Sequence, residues 1–242
     1  MLEQVQRSKL LNFLEKWLKN KISLTLKSLF NLKDLKEKNP SVKALAYQLY
    51  ENNGVIKRDQ VSDFLKELEQ NERKILRDLG VKFGRYHIFL YKLIKPEAVS
   101  LRTLLWKNYH QKYFNLRPPT FGLNFLNDKN FKNKNFMLLC GFEKFDTFFV
   151  RIDILERLFI QILNSDNKEK KKMIKMVPEM INLLGCSKEN FKRLISMMNY
   201  KIFEKNSELF FKYNPPKKNK KIFLKKPNKE SPFMVLKNLN LN

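Results

Sequence analysis

The residues of this sequence best equipped for chemistry are cations. Lys82 and Arg85 lie in "GVKFGRYHIFL", residues 80–90, and Lys188, Lys192 and Arg193 lie in "SKENFKRLISMMN", residues 187–199. Lys217, Lys218, Lys220, Lys221, Lys225 and Lys226 crowd the tail stretch "PPKKNKKIFLKKPNK". Ammonium and guanidinium groups about one helical turn apart, or closely spaced along an extended arm, suit a row of phosphates. They do not make a reaction centre. These eleven side chains are the candidate nucleic-acid contacts.

Reactive groups are sparse by comparison. Cys140 and Cys186 stand alone, and His87 and His110 are the two histidines. No spacing among them suits zinc or a disulfide framework. The chain has no Gly-x-x-x-x-Gly-Lys-[Ser/Thr] loop, no DExD or DExH box and no Gly-x-Gly-x-x-Gly turn. No serine sits in a nucleophile elbow. Asp153 and Glu156 are a carboxylate pair, but their spacing before an apolar run predicts a helix-capping box. The expectation is a chain with no catalytic residues, no metal and no bound cofactor of its own.

Charge supports a polyanionic partner. The 49 basic residues against 24 acidic ones leave +25 over 242 residues, and an excess of that size attracts nucleic acid or an anionic surface. The Lys, Asn and Phe content also matches an AT-rich coding sequence. Apolar runs such as Phe148 to Val150 and Leu158 to Leu163 are far shorter than the ~20 residues of a membrane span. Glu3 and Arg7 interrupt the N-terminus where a signal peptide would be apolar. No membrane role and a cytoplasmic, bacterial location are expected.

The elements that must carry these cations follow from periodicity. Leu2 to about Phe30 reads as one long helix or two consecutive ones. Asn39 as N-cap and Pro40 at the first helical position start a helix that ends at Asn53-Gly54. Asp59 to Leu79 reads as one helix closed by Gly80. Gly80 to Leu90 reads as a hairpin, with Val81, Phe83, Tyr86 and Ile88 inward and a basic rim. Pro96 opens another helix. Residues 115–139 hold two prolines, a glycine and a Lys/Asn-rich run, and read as a linker.

Beyond it, "CGFEKFDTFFVRIDILERLFIQIL" predicts a strand-like stretch and then a helix. Helices follow at about Lys170 to Leu184 and from Ser187, and Tyr200 to Tyr213 alternates as a hairpin. Helix, helix, turn, helix, hairpin is the order of a winged-helix module. In that arrangement Lys188, Asn190, Lys192 and Arg193 face outward, and the first half shows a similar order. The expected fold is mainly α with short β-hairpins, in two helical modules, the second winged-helix-like. The expected boundaries are 1–114, a 115–139 linker, 140–214, and a flexible basic tail, 215–242.

Several stretches, in order, resemble one family. "RKILRDLGVKFGRYHIFL", "LIKPEAVSLRTLLW", "VRIDILERL", "LLGCSKENFKRLISMMNYKI" and "SPFMVLKNL" are similar to the C-terminal region of a large alphaproteobacterial helicase. That helicase is of the DEAD/DEAH type, superfamily 2, similar to the RNA helicase of the mitochondrial degradosome. The resemblance runs from about residue 10 to the end. The family's ATP-dependent motor, which uses ATP and Mg, has no counterpart here, so no catalytic residue carries over. The resemblance implies a non-catalytic accessory region that binds nucleic acid, RNA foremost, beside a helicase motor or nuclease subunit. The rival expectation is a winged-helix protein-interaction module docking to a helicase, nuclease or ribosomal partner.

Overall fold

Two consecutive helices, α1 (Gln4–Thr25) and α2 (Lys27–Lys33), open the computed structural model, which describes residues 4–36, 39–127, 133–169, 173–205 and 208–215. α1 buries no residue along its length. Its apolar stripe of Leu10, Leu14, Trp17 and Leu18 stays exposed. It is tied to the body near its end, where Ile22 packs against the core and Lys21 pairs with Glu97.

The packed body begins with Leu26 and with Leu29 and Leu32 of α2, which share a core with Val42, Leu45 and Leu49 of α3 (Pro40–Glu51). The Asn39 side chain accepts the N–H of Ser41 at 2.7 Å, and Pro40 supplies a preset φ at the first turn. α3 ends where Asn53 and Gly54 take positive φ, 54° and 80°. The chain then enters β1 (Val55–Lys57). Asp59 to Leu79, expected as one helix, is a short 3-10 turn followed by α4 (Ser62–Glu67) and α5 (Gln70–Asp78). Leu68 between them is extended, and the Glu72 carboxylate accepts the Glu69 N–H at 2.8 Å, starting α5 afresh. The break lets Leu65, Leu68 and Leu76 converge on one core.

The hairpin of β2 (Val81–Phe83) and β3 (His87–Leu90) follows. β3 lies between β1 and β2, with Ile56 opposite Ile88 and Phe83 opposite Ile88 on its other edge. All four β3 residues are buried. Ile88 and Leu90 join Val42, Leu45 and Leu76 in the first core, while Phe89 meets Val55 and Ile152 on the other side. Both faces of β3 are therefore covered, His87 and Phe89 included, and the two cations expected at the rim of this hairpin, Lys82 and Arg85, are exposed.

α6 (Pro96–Tyr109) leads into the stretch expected as a linker. Residues 115–139 instead carry β4 (Phe125–Asn127) and α7 (Lys134–Leu139), with Phe136 and Met137 fully buried. Phe136 and Met137 supply the apolar area that holds α7 against the body. β5 (Phe142–Phe145) and β6 (Phe148–Arg151) complete a second sheet with β4.

The last unit starts with α8 (Ile152–Glu169) and a two-residue strand, β7 (Ile174–Lys175). The helix expected from Lys170 is shorter. Lys170 lies outside the described residues, and α9 (Pro178–Leu184) begins at a proline and ends at Gly185 in the left-handed region. Ser187 caps α10 (Lys188–Met197) by accepting the N–H of Asn190 at 3.2 Å. β8 (Tyr200–Lys205) and β9 (Glu208–Tyr213) pair from Tyr200–Tyr213 to Lys205–Glu208.

The described residues are thus mainly helical with three small antiparallel sheets, ordered β1-β3-β2, β4-β6-β5 and β7-β9-β8. In each, the earliest strand pairs with the latest, which pairs with the middle one. Helix, strand, one or two helices, hairpin is repeated three times along the chain, with no visible repeat in the sequence.

Candidate nucleic-acid interface

The named cations among the described residues fall in two places. Lys82 is exposed on β2, opposite Phe89 in the register. Arg85 is exposed at the turn of the same hairpin, its guanidinium 5.5 Å from the centre of the Phe159 ring on α8. On α10, Lys188 and Arg193 are exposed, while Lys192 is half-buried and lies 3.9 Å from Glu204 on β8. Asn190, expected outward, is half-buried, and Glu189 stands exposed among the cations. Lys217, Lys218, Lys220, Lys221, Lys225 and Lys226 lie outside the described residues.

Lys74 and Arg77 were not among the expected contacts. Both are exposed on α5, three residues apart and so on one face. Among the described residues no carboxylate lies within ion-pairing distance of Lys74, Arg77, Lys82, Lys188 or Arg193. A lysine or arginine without an acidic neighbour presents its full charge to a phosphate. A second feature joins aromatic rings to cations at the end of α6. Trp106 stacks on Tyr113 with ring centres 5.3 Å apart, and Tyr109 is 84% exposed and Phe114 60%. Lys107 lies over Phe114 and Lys112 over Tyr113. Exposed rings flanked by lysines can stack bases while the cations meet the backbone.

The Gly84–Arg85 turn is held in place rather than left to project. Arg58 donates its guanidinium to the Gly84 carbonyl at 2.8 Å. The Glu156 carboxylate accepts main-chain N–H groups of Tyr86 at 2.9 Å and His87 at 2.8 Å, and that of Arg85 as well. Glu156 is therefore the socket of the hairpin turn and not half of a capping box. Its presumed partner Asp153 instead binds the Arg151 guanidinium at 2.7 Å. Gly84 is required by space: a Cβ there would lie 2.3 Å from the Glu156 carboxyl carbon.

Buried beneath the turn, His87 Nε2 meets Glu143 at 3.0 Å, and Lys57 Nζ meets the same carboxylate at 2.7 Å. Burial opposes charge on His87, but Glu143 and Glu156 outweigh it and raise its pKa above the usual 6.5. Burial likewise opposes charge on Glu143, and His87 and Lys57 outweigh it, lowering its pKa from 4.5. Each carboxylate is already committed to cations and amides, so the cluster joins β1, β3, β5 and α8. It is a joint between units. Among the described residues, no group of three or more His, Cys, Asp or Glu side chains is arranged to hold a metal ion.

Burial pushes the Cys140 thiol up to about 12 and the Cys186 thiol to about 11. Neither is a ready nucleophile at neutral pH. No helix among the described residues is long and apolar enough to cross a membrane. Comparison with protein-family models, curated proteins and solved structures yields no match for this chain.

Proposed function

We propose that this chain is a non-catalytic nucleic-acid-binding protein built from winged-helix-like units, with RNA as its first partner. The observation that carries the proposal is the set of exposed cations on α5, β2 and α10 without carboxylate partners, in a chain of net charge +25. The repeated order of helix, strand, helices and hairpin supports the winged-helix assignment, since that module pairs its first strand with the last. In it α5 and α10 occupy the recognition-helix position. Lys74, Arg77 and Lys82 then serve the first unit, and Lys188, Lys192 and Arg193 the last. The tail lysines add sequence-tolerant attraction. The proposed setting is beside a helicase motor carried elsewhere, which would supply ATP hydrolysis and Mg.

The test is fluorescence anisotropy of labelled single-stranded RNA, with duplex DNA as a comparison arm, titrated over several salt concentrations. The expected slope of log K against log salt steepens by about 0.7 to 0.9 per phosphate contact. A slope near zero overturns the proposal. A chain ending at Tyr213 separates the folded units from the tail.

One observation favours a second reading, a protein-docking module: the exposed stripe of Leu10, Leu14, Trp17 and Leu18 on α1. Under that reading a partner subunit is captured through α1 or α10, and reversing the charges of α10 spoils capture while RNA affinity stays intact.

A further inference from the structure

Where the turn of the first hairpin meets the last sheet, the molecule forms a cavity of about 360 Å³ that is open to solvent. Its floor is apolar, from Phe159 and Ile162 of α8 and Ile174 of β7. One wall is aromatic: Tyr200 and Tyr213 meet edge to face, ring centres 5.2 Å apart, with Tyr200 buried and Tyr213 exposed. Two cations border it, Arg85 from the hairpin turn and Lys212 from β9, and none of the described lining side chains is acidic. The Arg85 backbone is anchored through Glu156, so its side chain is delivered to this edge by a fixed turn.

A site with this make-up selects a flat, apolar body that carries negative charge. Hydrated phosphate alone has no use for the apolar floor, and an uncharged ring leaves the two cations unused. A volume of 360 Å³ falls within the roughly 300–1,000 Å³ usual for small-molecule pockets. We propose that the cavity holds one unpaired nucleotide, its base against Tyr213 over the Phe159–Ile162 floor and its phosphate on Arg85 and Lys212. The source is a nucleotide within a single strand, so the inference rests on the nucleic-acid reading above. A base inside a duplex must unstack to enter a concave site, so single strands are preferred.

The full chain is titrated with single-stranded RNA carrying one 2-aminopurine, with the corresponding 2-aminopurine mononucleotide, and with a blunt duplex of equal length. Tyr213→Ala removes the stacking ring. Leu163→Trp, at an exposed position lining the cavity, fills it without removing a contact. The expected result is a change of 2-aminopurine emission on binding and a loss of about tenfold in single-strand affinity in both variants, with duplex affinity unmoved. Mononucleotide binding lost in both variants, in a chain that shows no strand binding, supports the cavity and removes the nucleic-acid reading. Salt-sensitive strand binding with unchanged emission, or with equal affinity in wild type and both variants, overturns the cavity and leaves the nucleic-acid reading standing.

Discussion

The Glu156 carboxylate accepts the main-chain N–H of His87 at 2.8 Å and lies 3.5 Å from the same residue's Nδ1. One carboxylate on α8 thus holds the backbone and faces the ring of a residue about 70 positions upstream. Glu156→Ala leaves three main-chain amides without their acceptor and removes one of the two carboxylates facing the buried imidazole. Breaking a buried charged contact of this kind costs about 3–5 kcal/mol. Gly84→Ala drives a Cβ into the same carboxylate and displaces it. The two substitutions act on one contact, so the double variant is expected to be well short of the sum, as read from urea-denaturation midpoints. Additive losses would mean that Gly84 matters for another reason.

Stability follows pH through the same joint. His87 has a raised folded pKa, so its contribution is full below 6.5 and is lost as pH rises through the folded value. Glu143 has a lowered folded pKa, so its contribution is full above 4.5 and is lost as pH falls through the folded value. Both are complete between about 4.5 and 6.5, and the melting temperature is expected to peak there. The groups facing His87 are Glu143, Glu156 and, through Glu143, Lys57. In His87→Gln the alkaline decline should flatten. A decline as steep as wild type would assign it to another group.

Arg102 is a second buried cation, held without a carboxylate. Its guanidinium donates to the carbonyls of Asn53 at 2.6 Å, Leu93 at 2.6 Å and Leu139 at 2.9 Å. These acceptors end α3, precede α6 and end α7, so one side chain ties three segments together. Burial lowers its pKa to about 10, so it remains charged at neutral pH. Arg102→Met leaves three carbonyl acceptors unmet at about 1–3 kcal/mol each in the worst case. The chain is expected to unfold at distinctly lower urea. Nucleic-acid affinity, measured well below that midpoint, should be unchanged, because Arg102 is only 3% exposed.

Much of the helical frame was legible because its signals are local. Asn39 before Pro40 and Ser187 before α10 act on the next few residues, and Gly185 after α9 on the few before it. The earliest strand of each sheet was not legible. β1, β4 and β7 are two or three residues long, too short for an alternating pattern, and are stabilised by pairing with strands 32, 23 and 36 residues or so downstream. Glu156 was misread for the same reason: its spacing from Asp153 imitates a cap, and its real partners are the Arg85–His87 amides. Among the candidate contacts, Lys82, Arg85, Lys188 and Arg193 were visible as cations and are exposed. Lys74 and Arg77 lie opposite the apolar face that defines their helix in the sequence. The signal for them in the sequence is the one-turn spacing of the two cations.

The two proposed recognition helices make unequal offers, which gives a sharper test than net charge. On α5, Lys74 and Arg77 point outward with Lys82 beyond them on β2. On α10, Glu189 stands among the cations and Lys192 leans towards Glu204. If phosphate contact is made through both, Lys74→Gln with Arg77→Gln should flatten the salt slope more than Lys188→Gln with Lys192→Gln. Each lost contact on a single strand removes about 0.7 from the slope. The first pair is expected to remove about twice that, and the second closer to one contact. All four positions are on helix surfaces, so melting temperatures should stay near wild type and keep folding out of the comparison. Equal slopes in the two double variants would show that the helices do not differ in phosphate contact. No flattening in either would move binding to the tail lysines or to the aromatic segment from Trp106 to Phe114.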